Sequence, residues 1–166
     1  MKIVVGSVVK GLTLKTAVVE WLEAHGHEVV DVGVYDFDTF IKFPSIAERA
    51  ARVLQQGEAE LGILCCGSGT GMALAANKFR GVCAASCESP AAAEMLRTVN
   101  DANCLCMGEN LVTPEIGKRM AAAFINWKFQ DVPGIPQPVL DFWAEARDEI
   151  MSRGDEAQER EMETLD

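Results

Sequence analysis

Five short apolar runs recur along the chain, at 2–6, 28–32, 61–66, 82–86 and 103–107, and each is followed by a longer segment with helical spacing. That alternation constrains the fold more than any other feature. Strands that regularly alternate with helices cannot form simple hairpins, so the pattern predicts repeated β-α units and a parallel sheet. Helices are expected at 12–25, 44–56, 70–78, 90–99 and 114–127, with Pro44, Pro90 and Pro114 in first turns, where the absent N–H is not needed. The expected fold is α/β: a doubly wound five-stranded parallel sheet of order 2-1-3-4-5, with helices on both faces and an extra C-terminal helix. Ligands in such sheets bind beyond the carboxyl ends of strands where the strand order reverses. Loops 7–11 and 66–71 meet at that point in the expected order, with 87–90 and 108–110 alongside. Ser7, Lys10, Glu88 and Asn110 thereby become candidate binding residues.

The 166 residues are enough for one domain, expected over 1–129. Residues 130–138 hold three prolines and a glycine, which cannot continue a helix and form a spacer. Past it, Val139, Phe142, Trp143, Ala146 and Ile150 recur at helical spacing within 139–166, a segment with ten acids and three bases. This acidic amphipathic tail could cover its own core or a second subunit. The spacer favours the second, so a homodimer is expected. A net charge of −10 argues against nucleic acid, whose binding rests on Lys and Arg neutralising phosphates. No apolar run reaches the roughly 18 residues that a membrane span needs, and Met1-Lys2 leads into a strand without a signal-peptide pattern, so a cytoplasmic location is expected.

Six cysteines (65, 66, 83, 87, 104 and 106) fall at strands or strand ends, which suits reduced thiols. No Cys-x-x-Cys pair occurs, and His25 and His27 lie apart from every thiol in sequence, so no metal is expected. The segment Leu64-Cys65-Cys66-Gly67-Ser68-Gly69-Thr70-Gly71-Met72 carries the chemistry. Cysteine is among the most buried residue types, and packing alone would account for a lone one. Packing does not call for three glycines in five residues. Glycines let a backbone approach a ligand closely, and the first turn of the next helix aims unpaired N–H groups at it. Cys66 stands beside those donors as a base or nucleophile. The dinucleotide fingerprint fails at Met72, although Glu88 falls about where a ribose-binding acid would sit. No Gly-Lys-Ser/Thr is present, nor the hydroxyl-rich phosphate loop of a flavin carrier, so no cofactor is expected.

The order of segments resembles the ribose-5-phosphate isomerase B and galactose-6-phosphate isomerase family from Met1 to about Phe129. The resemblance is carried by Met1-Lys2-Ile3-Val4-Val5-Gly6-Ser7, by Gly26-His27-Glu28-Val29-Val30-Asp31-Val32-Gly33, by Cys66-Gly67-Ser68-Gly69-Thr70-Gly71-Met72 with Ala75-Ala76-Asn77-Lys78, and by Asn100-Asp101-Ala102-Asn103. It implies a metal-free homodimer that interconverts aldoses and ketoses, usually phosphorylated, through an enediolate. It also implies that a Cys66 thiolate carries the proton between C1 and C2 while the Gly67, Gly69, Thr70 and Gly71 backbone holds the enediolate oxygen. Ser68 matches a catalytic hydroxyl position, and Asn100 matches a residue that contacts the sugar.

The departures concern ring opening and anion binding. Val8-Val9 stands where the family carries Asp-His, Val99 replaces a histidine, and Asn110 replaces an arginine, while the prolines of 133–138 replace a basic segment. Lys10 is left as a candidate charge. The reading is an aldose-ketose isomerase with altered sugar recognition. The alternative is a catalytically silent relative that binds a sugar or metabolite in regulation or assembly. Cys66 and the complete loop favour the first; the lack of a nearby histidine favours the second.

Overall fold

A computed structural model describes residues 1–163, with side chains described for 1–152. Its elements are β1 (Lys2–Ser7), α1 (Leu12–Ala24), β2 (Glu28–Asp31), α2 (Phe43–Gln55), β3 (Leu61–Cys66), α3 (Thr70–Ala76), β4 (Ala84–Ser86), α4 (Pro90–Thr98), β5 (Cys104–Gly108), α5 (Pro114–Asn126) and α6 (Gln137–Glu163). All strand pairs are parallel.

Side chains alternate across the central strands and so build two cores. Ile3, Val5, Ile63, Cys65, Leu105 and Met107 pack beneath α1, α4 and α5. Val4, Leu64, Cys66, Cys104 and Cys106 pack beneath α2 and α3. This is the doubly wound α/β fold expected from the sequence, but the strand order is β2-β1-β3-β5-β4, not 2-1-3-4-5. The exchange of the last two strands follows from burial. Every residue of β5 is buried, as a strand covered on both faces must be, whereas β4 has three residues, two of them half-buried, and forms a short edge. A right-handed return from β4 to β5 then requires α4 on the face of α1, where it lies.

The exchange sets β5 directly beside β3, with Gly108 opposite Cys66. It therefore brings loop 108–113 against the glycine loop. Helix α6 stays largely off the core. It is tied back by the Gln130 amide, which donates to the Leu140 carbonyl at 2.5 Å, and by Arg147, which pairs with Asp101 at 2.9 Å and lies over the Phe129 ring. Phe142 is 64% exposed and Val139 and Ile150 are also exposed, while Trp143 is half-buried. The expectation of a solvated acidic segment past Ser152 lies outside the residues whose side chains are described.

One buried ion pair fixes the left half of the sheet. The Lys15 ammonium, 3% exposed, lies 2.6 Å from Asp31 Oδ2 and donates to the Val34 carbonyl at 2.6 Å. It joins α1 to the end of β2 and to the loop that follows. Removing one partner leaves a buried charge uncompensated, so Asp31→Ala is expected to lower stability by about 3–5 kcal/mol. Urea unfolding measures this, and a loss below about 1 kcal/mol would contradict it.

Candidate active site

Successive positions at the end of β3 send two thiols to opposite sides of the sheet. Cys65 is completely enclosed on the α1 side, where burial pushes its thiol up and the neighbouring Cys66 adds to the effect. Cys66 faces α2 and α3, is 7% exposed, and accepts the Gly69 N–H at 3.1 Å. A backbone donor is thus already aimed at this sulfur. All six cysteines are free thiols.

The loop holding Cys66 is clamped by contacts that tolerate no side chain. Gly69 has φ +80°, and a Cβ there would fall 2.4 Å from Ser86 Oγ. A Cβ on Gly108 would lie 2.6 Å from the Ser68 backbone, and one on Gly11 would lie 2.6 Å from the Cys65 carbonyl. Hydrogen bonds complete the clamp. Glu109 N–H donates to the Cys66 carbonyl at 2.8 Å, Asn110 N–H to Gly67 at 3.0 Å, and Ser86 Oγ to the Ser68 carbonyl at 3.1 Å. Helix α3 opens without a side-chain cap, leaving the N–H groups of Thr70 and Gly71 for a ligand. Ser68 Oγ and Thr70 Oγ1 are 2.7 Å apart, two hydroxyls able to pass a proton between neighbouring oxygens.

Lys10 and Asn110 flank this loop. A Cβ built on Gly67 would meet Asn110 Nδ2 at 3.3 Å and Lys10 Cγ at 3.5 Å. Val8, which follows the Ser7–Cys65 pair and packs in the same core as Cys66, presents an apolar wall there. Glu88 is exposed just before Ser89, the residue that caps α4. One candidate is placed differently from the expectation. Ser7, expected in the loop, instead ends β1 on the same face of the strand as Ile3 and Val5, where it is fully buried and its hydroxyl has no partner among the described residues. Asn100 precedes β5, and in a parallel sheet the start of β5 lies at the opposite end from Cys66. At about 3.3 Å per residue, β5 alone separates them by about 13 Å within one chain.

Two neighbours of the site were missed in the sequence. Phe43 packs its ring against Gly71, 3.1 Å from a Cβ built there. Glu109 caps α1 from 96 residues away. The available signal for Glu109 was the lack of a Ser, Thr, Asp or Asn at the start of α1, where Gly11 stands.

Residues 3–134 match the Ribose/Galactose Isomerase family. The chain belongs to that family. The 4-deoxy-4-sulfo-D-erythrose isomerase of Clostridium sp. (strain MSTE9) is 44% identical over 79% of this chain and 82% of its own. D-erythrulose-4-phosphate isomerase 2 of Mycolicibacterium smegmatis is 34% identical over 87% of this chain and 96% of its own. The solved ribose-5-phosphate isomerase B of Clostridium thermocellum superposes with a TM-score of 0.85 at 30% identity, covering 95% of this chain and 99% of that one. This isomerase therefore interconverts aldose and ketose sugars, and the silent-relative alternative finds no support among these proteins. Among the described residues no helix is long and apolar enough to cross a membrane.

The clamp makes the loop sensitive to one methyl group. Gly108→Ala must displace Ser68, and misplacing catalytic groups by about 1 Å costs about 100-fold in turnover. That loss is expected with a cooperative unfolding transition still present. Unchanged turnover would show that the loop yields without consequence.

Proposed function

We propose that this isomerase acts on a four-carbon sugar whose C4 carries an anionic group in place of a free hydroxyl. The carrying observation is the run of valines at 8, 9 and 99, where the family resemblance implies acid-base side chains for ring opening. A tetrose closes its five-membered ring only by attack of a C4 hydroxyl on C1. With C4 blocked the sugar stays open, and no ring-opening group is needed. Supporting this reading, the sulfo-erythrose and erythrulose-4-phosphate isomerases similar to this chain are both named for sugars substituted at C4.

Cys66, as thiolate, takes the C2 proton of the aldose and returns it to C1, giving the ketose. The N–H groups of Thr70 and Gly71 hold the enediolate oxygen, and the Ser68–Thr70 hydroxyl pair moves a proton between O1 and O2. Lys10 and Asn110 meet the terminal group. A positioned base contributes roughly 10²–10⁴ in rate and an oxyanion donor roughly 10²–10³, so the retained loop supplies much of the reaction. Asn100 reaches Cys66 only from a second copy of the chain, and the exposed stripe of α6 supports such a homodimer. The reading includes a cytoplasmic location, supported by the six free thiols.

Solvent deuterium incorporation at C1 or C2 tests the substrate class. Erythrose blocked at C4 by sulfonate or phosphate is expected to exchange, with ribose 5-phosphate and unsubstituted erythrose poorer by about 100-fold or more, the usual worth of acid-base assistance. Efficient turnover of ribose 5-phosphate would overturn the proposal.

In the same assay Cys66→Ala is expected to abolish exchange while Cys65→Ala leaves most of it. Mixing inactive Cys66→Ala with an inactive Asn100→Ala protein tests the shared site. Random re-pairing should restore about a quarter of wild-type activity, since half the dimers then hold one intact site of two. No recovery on mixing would place Asn100 outside the site.

A further inference from the structure

Helix α1 opens on Gly11, which brings no side chain to the unpaired N–H groups of the first turn. Glu109 supplies the acceptor. Its Oε2 takes the N–H of Thr13 at 3.0 Å and that of Leu14 at 3.3 Å, while its own N–H is bonded to the Cys66 carbonyl. This carboxylate is therefore fixed between α1 and the strand that carries the thiol. Its Oε1 lies 3.7 Å from Lys10 Nζ, and the Lys10 side chain is 64% exposed at the rim beside Gly67. The rim thus combines one mobile positive charge with one immobile negative charge.

We propose that Glu109 sets the charge this crevice accepts, admitting a singly charged sulfonate at C4 of the sugar and opposing a phosphate dianion. The inference deepens the reading above and rests on it for the identity of the sugar. A phosphate monoester carries about −1.5 to −2 at pH 7, and a sulfonate carries a single charge. Lys10 matches the first charge. A second meets a carboxylate that two backbone N–H groups hold in place, and a fixed repulsion of this kind discriminates between ligands of the same shape. The same carboxylate occupies the donors at the start of α1, so they cannot compensate by binding a phosphate oxygen.

Calorimetric titration at pH 8 of erythrulose 4-phosphate and 4-deoxy-4-sulfo-erythrulose tests this. The protein carries Cys66→Ala, so that no turnover intervenes, alone or together with Glu109→Gln or Glu109→Asp. Gln keeps an acceptor for α1 and removes the charge; Asp keeps the charge. The expected result is that Glu109→Gln tightens the phosphate by about tenfold or more while the sulfonate changes by less than about threefold, and that Glu109→Asp keeps the parent's preference. Parallel shifts of both sugars, no shift of either, identical behaviour of Gln and Asp, or no binding of either sugar would each overturn the role of Glu109. Failure of the substrate reading shows separately, as absence of solvent exchange by the wild-type enzyme on both sugars.

Discussion

At the carboxyl end of β3, segments pack so closely that no side chain fits at the glycines between them. Gly108 lies against Ser68, Gly69 against Ser86 and Met107, and Gly11 against the Cys65 carbonyl. These contacts fix where the Cys66 sulfur points and where the Thr70 and Gly71 N–H groups open. They also explain why three separate loops share one site. Each loop contributes a glycine at the point where it touches the next, and hydrogen bonds from Glu109, Asn110 and Ser86 hold the junction. A donor array assembled in this way needs no rearrangement when charge develops on a bound oxygen.

Around that rigid centre the side walls are free to vary. Val8 lines the same core as Cys66, and an apolar group there needs no charged partner. On the proposed reading the walls lost ring-opening groups because the sugar no longer closes a ring, while the proton-transferring loop was kept. The charge of the rim is likewise separable from the chemistry. Lys10 and Glu109 pair across the mouth without touching the sulfur.

The other end of the sheet answers to different constraints. Arg97 and Arg147 share the Asp101 carboxylate, which draws α6 against the turn that carries Asn100. Hydrogen bonds to Asp101 and Asp148 raise the Arg147 guanidinium further above its usual range, so its charge is permanent. The exposed Phe142 and Val139 lie on the same helix. The Arg147–Asp101 pair thus holds this helix to the turn of Asn100, at the end of the sheet away from the chain's own thiol.

Much of this was readable from local pattern. The β-α alternation determined the parallel sheet and the two helical layers, because a strand followed by a helix leaves few other ways to bury both. That Cys65 and Cys66 face opposite sides of the sheet was readable from the two-residue period of a strand, and the direct junction to the glycines made Cys66 the candidate of the two. What tertiary structure decided were relations between distant segments. Whether β4 or β5 sits beside β3 depends on which strand can be covered on both faces, a property of the assembled layers. The order 2-1-3-4-5 therefore failed at its last two positions. Ser7 reads as a loop hydroxyl, yet it falls on the inward-facing side of β1. Asn100 follows α4, and only the pairing of the parallel strands shows that it lies at the end of the sheet away from Cys66. Glu109 carries no local signature, since the helix it caps begins nearly a hundred residues earlier. Periodicity and turn chemistry act over a few residues and are written in the sequence, whereas packing between elements arises only when the layers meet.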